Sequence, residues 1–265
     1  MSGQSAAALM REGRLSDAIA AAQAKLRSSP TNLDARVLLA ELLICAGNLE
    51  RADVIIDAAP AIDSTTVLVA AEFRQLIRAE IARRQLFLDG RVPEFLSGPT
   101  AAQRLQLAAL VSLRGGDADE AARQSELAEA TRPRAPGFSG ETAFDDFRDA
   151  DDLLAGTFEV LTTTGKYFWV PTERVAAAEF HAPTRTRDLI WRRVSMSVAD
   201  GPEGDVYMPA TYIAAGPVTD AQRLGRETDW RDVGGGLMRG VGQRMFLAGD
   251  EGIDSMSLTT LRFDA

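Results

Sequence analysis

The sequence predicts an α+β protein of two domains: an N-terminal α-α superhelix over residues 1–132 and a C-terminal α+β domain over residues 141–265 with a mixed or antiparallel sheet. Three observations lead to this reading. The first half is rich in Ala, Leu and Arg, with apolar residues at helical spacing. A short pattern recurs within it at an interval of 34 residues. All three Trp and all three Tyr lie beyond Pro133, after a Pro- and Gly-rich stretch, 133–140, that reads as a linker. At 265 residues the chain is also long for one core, which favours two domains.

The recurring pattern is Gly13-Arg14-Leu15-Ser16-Asp17-Ala18, then Gly47-Asn48-Leu49-Glu50-Arg51-Ala52, then Gly116-Asp117-Ala118-Asp119-Glu120-Ala121. Pro30 and Pro133 each follow the first and third alanine by 12 residues. The pattern resembles the tetratricopeptide repeat, which has this period and closes each helix pair near a proline. Glycine is expected where the first helix of a pair ends, because the reversal needs a positive φ. Alanine is expected where the second helix crosses the first at close range. Leu38, Leu39, Leu42 and Leu43 mark one apolar helix face, and Leu105, Leu107, Ala108, Leu110 and Val111 another. Residues 64–90 read as one long helix with Val67, Ala71, Leu76, Ile77 and Ile81 on its apolar side, so the array is irregular. Pro60 shortens the helix before it. Stacked pairs of this kind leave a groove for a peptide or helix; equally, so short an array can serve to brace the second domain.

Beyond the linker, Phe144, Phe147, Asp151, Leu154, Phe158 and Leu161 fall at alternating steps of three and four, which predicts a helix over 144–161. Asp151 interrupts this apolar stripe. A buried carboxylate needs a partner, and an Arg from the downstream β region is expected. Lys166 to Val170 reads as a strand ending at Pro171, and Thr172-Glu173 as the start of a short helix to Phe180. Leu189 to Val198 reads as a strand with Val194, Met196 and Val198 inward and Arg193, Ser195 and Ser197 outward. Asp200-Gly201 turns the chain into Val206-Tyr207-Met208. Gln243–Ala248 and Met256–Phe263 read as closing strands, the second with a bulge at Thr259-Thr260. Strands and helices do not alternate, which argues against a doubly wound sheet.

Most chemistries find no support. The net charge of −9 opposes a nucleic-acid role. The single cysteine, Cys45, sits in an apolar helical stretch as a small hydrophobe, and one Cys with one His excludes a zinc site. The N-terminal stretch lacks the apolar run of a signal peptide, and about 18 consecutive apolar residues occur nowhere, so a cytoplasmic protein with no membrane span is expected. Asp145, Asp149 and Asp152 read as one solvated face of the 144–161 helix rather than a metal cage, and no metal or cofactor is expected. The glycine-rich run 232–244 lacks the Lys-Ser/Thr of a phosphate-binding loop and fails the Gly-x-Gly-x-x-Gly pattern at Met245. It reads as a flexible loop or a tight backbone crossing. His181 reads as a helix-end residue, and it cannot complete a hydrolytic triad unaided. The chain does not read as an enzyme.

Taken together, the Gly-Arg-Leu and Ala-Gly-Asn-Leu-Glu-Arg-Ala pieces of the array, Phe144-Asp145-Asp146-Phe147-Arg148-Asp149-Ala150-Asp151-Asp152, Gly165 to Pro171, Arg187 to Arg192, Leu224 to Trp230 and Arg239 to Arg244 resemble the ImpE family, also called TagJ. The resemblance runs in order along nearly the whole chain. It implies a non-enzymatic accessory protein of a type VI secretion system. By that resemblance the partner is the small subunit of the contractile sheath, bound through a helix near that subunit's N-terminus, with the ClpV-type ATPase involved indirectly. The expected contact surface is the concave helical face with Arg36, Leu43, Arg74 and Arg78, or the junction with Trp169, Trp191 and Trp230, since Arg and aromatic residues are enriched at binding hot spots. Core packing for the Trp residues and solvated helix faces for the Arg residues are the plainer alternatives. Two competing functions are also compatible with the sequence: an enzyme handling a phosphorylated small molecule at the glycine-rich loop, and a structural oligomerisation module.

Overall fold

The computed structural model describes residues 4–214 and 216–264. The first three residues of the N-terminal stretch read for a signal peptide lie outside this range. No helix among the described residues is long and apolar enough to cross a membrane.

The first half is a run of helices: α1 (Ala6–Arg11), α2 (Leu15–Ser28), α3 (Leu33–Cys45), α4 (Leu49–Asp57), a single turn α5 (Ala59–Ile62), α6 (Val67–Asp89), α7 (Ala101–Arg114) and α8 (Ala118–Thr131). The repeat glycines explain the reversals. After α3, Gly47 takes φ 79°, its N–H donates to Ile44 O, and Asn48 N–H donates to Leu43 O, both at 2.8 Å. That is the six-to-one plus five-to-two closure of a helix end around a left-handed residue. Gly13 and Gly116 close α1 and α7 in the same way. Asn48 and Asp117 then cap the next helix through their side chains. The repeat alanines Ala18, Ala52 and Ala121 are completely buried where paired helices meet. Cys45 is buried too, and burial pushes its thiol up to about 12.

Two helix faces differ from the sequence reading. In α6 the buried side is Ala70, Phe73, Leu76, Ile77 and Ala79, continuing through Glu80 and Arg83; Val67 and Ala71 are exposed. In α7 the buried stripe is Ala102, Gln103, Gln106, Ala109 and Leu110, whereas Val111 is exposed. The glutamines face inward because a strand offers them polar partners: Gln103 donates to Thr157 Oγ1 at 3.3 Å, and Thr157 donates to Gln106 at 3.2 Å.

The second half is built on strands: β1 (Gly137–Ser139), β2 (Thr142–Phe144), β3 (Phe147–Asp149), β4 (Thr157–Leu161), β5 (Tyr167–Pro171), β6 (Val175–Phe180), β7 (Trp191–Val198), β8 (Glu203–Pro209), β9 (Thr228–Asp232), β10 (Met238–Gly242), β11 (Met245–Ala248), β12 (Glu251–Asp254) and β13 (Thr260–Phe263), with a one-turn helix α9 (Asp220–Arg223). The main sheet has the order β2-β1-β13-β6-β7-β8-β4-β5, and all its pairings are antiparallel. A small sheet β12-β11-β3 and a hairpin β9-β10 complete it. The main sheet is a middle layer. Its odd residues on β4, β5 and β7 (Leu161, Tyr167, Trp169 and Trp191) join the helical core, while Phe158, Val160, Val170, Val194, Met196 and Val198 join a second core with Phe147 and Phe246 of the small sheet.

The structure departs from several expectations. The expected helix over 144–161 is two short strands, a turn and β4. Its aromatic residues are all buried, but the aspartates take backbone amides a helix would use: Asp149 accepts from Asp151 N–H and Asp151 from Leu153 N–H. Asp149 is buried, so the supposed solvated acidic face does not exist. The helix expected from Thr172 to Phe180 is a single 3-10 turn followed by β6. That Ala-rich segment lies between β13 and β7, and cross-strand pairing overrides its helical propensity. Consequently His181 directly follows a strand, with its Nε2 2.8 Å from Ser195 Oγ. Residues 137–139, read as linker, form β1 in the main sheet. β13 starts only at Thr260; the broken parity before it is a turn in which Asp254 accepts from the amides of Met256 and Ser257.

The glycine-rich run is a tight backbone crossing. A Cβ on Gly234 would lie 2.5 Å from the Ala118 side chain, and one on Gly235 2.9 Å from that of Ala122, so the β9–β10 turn rests directly on α8. The C-terminal half also reaches the first helices. Asp220 accepts from Ser16 N–H at 3.2 Å, Arg223 donates to Ala46 O at 2.8 Å, and Arg226 donates to the carbonyls of Met10 and Arg11 at 2.7 and 2.9 Å. Replacing Ala52 by Leu forces the α3–α4 pair apart and is expected to cost about 1–3 kcal/mol, readable as a lower midpoint in thermal denaturation followed by circular dichroism.

Candidate functional site

The most concentrated polar chemistry of the chain lies at the seam where α6 meets β4 and β5. α6 reaches this seam as a long helix, and Glu80 and Arg83, one turn apart, fall on its buried side. The strand β4 is buried on both faces, so its alternation sends Thr157 and Glu159 towards the helices. Arg83 and Glu159 form a fork-to-fork pair, with both hydrogen bonds at 2.9 Å. Arg83 also donates to Thr211 O at 2.8 Å and to Glu80 at 3.3 Å. Arg244, which follows β10, binds the same Glu159 carboxylate, and so does the Tyr167 hydroxyl. Trp169 donates to Tyr167 Oη at 2.6 Å, and Trp191 donates to Glu80 at 3.2 Å.

A second cluster adjoins the first. Asp151 is completely buried, and its partner is Arg239 of β10, whose Nε lies 2.7 Å from Asp151 Oδ2. The amides of Gly240 and Leu153 donate to the same carboxylate at 3.0 Å. Arg239 also stacks over Phe87 of α6, 5.1 Å from the ring centroid. Between the clusters, Asp149 accepts from Tyr212 Oη at 2.9 Å and lies 3.4 Å from Arg244 Nε.

The charges settle differently. Burial would raise the Glu159 carboxyl, but Arg83 and Arg244 outweigh it and hold it at about 2. Burial likewise opposes the charge on Arg83, and Glu159 and Glu80 outweigh it there. Asp149 goes the other way: burial, helped by the neighbouring Asp151 charge, overrides Arg244 and raises it to about 7. These carboxylates and guanidinium groups are turned on one another, away from solvent. What the arrangement does is fix α6 against the sheet. Among the described residues no three His, Cys, Asp or Glu side chains gather around a position for one ion. Asp149, Arg226 and Arg239 do not converge on an anion site beside the glycine-rich loop: Asp149 pairs with Tyr212 and Arg244, Arg239 with Asp151, and Arg226 with the α1 carbonyls.

The residues named from the sequence as a contact surface are scattered by this arrangement. Leu43, Trp169 and Trp191 are core residues, closed to any partner because their apolar bodies pack between α3, α6 and the sheet. Arg36 donates to Pro30 O and Ile55 O and fastens its own repeat. Arg74 is taken by Asp53 and Asp57 of α4. Arg78 is exposed, and Trp230 is 37 % exposed beside Tyr212. The seam residues Glu80, Arg83, Glu159 and Arg244 were missed. Their one signal in the sequence is Glu80 and Arg83 standing among the apolar positions of α6.

The chain is 33 % identical, over 242 residues that span 90 % of it and 84 % of the relative, to the type VI secretion system accessory component TagJ of Pseudomonas aeruginosa. The chain belongs to the ImpE/TagJ family. The family pattern described as ImpE protein matches residues 141–262, which contain Asp149, Asp151, Glu159, Arg239 and Arg244. A tetratricopeptide repeat pattern matches residues 9–71. The crystal structure of protein VPA1032 from Vibrio parahaemolyticus superposes with a TM-score of 0.92 at 27 % identity, covering 98 % of this chain and 97 % of that one. The ImpE-type region thus carries the strand side of the seam, and α6 brings Glu80 and Arg83 to meet it.

Two outcomes follow for the seam. Glu159→Gln leaves two buried guanidinium groups without their carboxylate and is expected to destabilise the fold by about 3–5 kcal/mol in urea denaturation. The second concerns pH. Asp149 is raised in the folded chain, so its stabilising contribution is complete below about 3.8 and is lost as pH rises towards 7. Glu159 is lowered, so its contribution is complete above 4.5 and is lost as pH falls towards 2. The urea midpoint is therefore expected to decline between about pH 4.5 and 7, and Asp149→Asn is expected to flatten that decline.

Proposed function

We propose that the chain is a non-enzymatic accessory protein of a type VI secretion system. In this reading it works in the cytoplasm, binds the N-terminal helix of the small contractile-sheath subunit, and assists or tunes sheath recycling by the ClpV-type ATPase. The observation that carries the reading is the likeness to TagJ along nearly the whole of both chains, not along one domain. The chemistry supports it. The acids and arginines that an enzyme would point into a pocket are here consumed in fixing helices to a sheet. Helix pairs also suit a helical ligand, since stacked pairs present ridges against which another helix can lie.

The test is a binding titration of the full chain with a labelled peptide of the sheath small subunit's N-terminal helix, followed by fluorescence anisotropy. Saturable binding, absent with a scrambled peptide of the same composition, is the expected result. Equal signals from the two peptides would remove the sheath-binding reading.

A further inference from the structure

The start of α6, the connection between β6 and β7, and the strands β7 and β8 enclose an open cleft of about 660 Å³. Val69, Glu72, Arg185, Arg187, Arg193 and Tyr207 are among its lining residues. Most of its charges are already engaged. Asp205 accepts from Arg193 and from Ser195 Oγ, the latter at 2.7 Å. Asp188 accepts from the amides of Thr184 and Arg185, each at 2.9 Å. Glu72 accepts from Tyr207 Oη at 3.0 Å.

Arg187 is the buried exception. It is only 3 % exposed, and its guanidinium lies over the Phe73 ring, 4.5 Å from the centroid. Its closest carboxylate, Glu72, is at 3.8 Å, beyond hydrogen-bond distance, and its buried Nε has no acceptor. Glu41 of α3 also feels this charge, but burial pushes the Glu41 carboxyl up and so weakens what it offers. A guanidinium carries five N–H donors in a rigid fork, and leaving such donors buried without acceptors is costly. The stacking fixes the plane of the fork in advance. One turn before Glu72 on the same face of α6 stand Leu68 and Val69, 81 % and 52 % exposed.

We infer that this cleft seats an acidic side chain of a partner helix, with Arg187 taking its carboxylate as a two-bond fork and Leu68 and Val69 receiving the apolar residues that flank it. The chemistry selects the occupant: an amphipathic segment with a carboxylate set among apolar side chains satisfies the unpaired donors and covers the apolar ledge at once. A buried, stacked arginine beside exposed aliphatic residues is the composition of an interface anchor. The inference rests on the adaptor reading for its partner being a helix, but it names a different and separately testable feature, the carboxylate and its seat.

The experiment uses the full chain and two probes: the sheath small-subunit peptide, and a designed amphipathic helix bearing one Glu between Leu residues at i, i+3 and i+4, together with its Gln counterpart. The designed Glu helix is expected to bind about tenfold or more tightly than the Gln helix, as a charged hydrogen-bonded pair implies. Arg187→Gln is expected to abolish that difference. Leu68→Glu, at a position so exposed that folding is untouched, is expected to weaken both designed helices. The inference is overturned if wild type binds neither designed helix or binds both alike, or if Arg187→Gln or Leu68→Glu, folded by circular dichroism, binds as wild type does. If the designed Glu helix binds and the sheath peptide does not, the cleft stands and the sheath-binding reading fails.

Discussion

A guanidinium buried without solvent needs acceptors for its rigid fork of donors, and the rest of this structure is arranged around how Arg83 meets Glu159. The two residues are 76 positions apart and come from a helix and a strand, so their pairing ties the two halves of the chain at a fixed distance and angle. The fork geometry tolerates little sliding of α6 along the sheet. Arg244 and Tyr167 close on the same carboxylate from other strands, which fixes β4, β5 and the chain after β10 in one register with the helix. Buried ion pairs of this kind gain little net energy over an apolar contact, because desolvation offsets attraction; what they give is a penalty for every other arrangement. The seam therefore defines which geometry of helices on sheet is the folded one.

The parts of the fold legible in the sequence are those set by local backbone demands. Gly47 and Ala52 could be read because a helix reversal needs a left-handed residue and a close crossing needs a small one, and both requirements recur at fixed spacing. Asp151 could be read as a buried acid needing an arginine because a lone charge in an apolar stripe has no other resolution. The segment 144–161 misled for a physical reason: turns reset the phase of the chain, and aspartates that bond to their own backbone produced buried positions at three- and four-residue steps without a helix. The segment 175–180 misled because alanine says little about sheets, and pairing on both sides decided the matter. The seam itself was not legible. Its members carry meaning only once β4 is known to be buried on both faces, and nothing local announces that Glu159 faces a helix rather than solvent.

The two faces of the main sheet divide the labour. One face, with Phe158, Val194 and Met196, makes an apolar core with the small sheet and needs no partner beyond it. The other, with Trp169, Trp191 and Glu159, is completed only by helices. Trp169 and Trp191, which looked like interface anchors, are thus internal anchors, used by the chain to hold its own helical array. Charges that remain outward, such as Arg78, lie on a different side of the same long helix. α6 serves as a beam with one edge bolted to the sheet and its first turns left open.

The contacts made by Asp220, Arg223 and Arg226 carry a consequence for how the protein comes into being. The last carbonyls of the first helix and the opening amide of the second are met by side chains more than 200 positions later. A ribosome delivers those side chains more than 200 residues after the helices they meet, so these helices stay incompletely tied in the nascent chain until that later segment emerges. The helices of the first repeat are therefore fastened only by a segment made well after them.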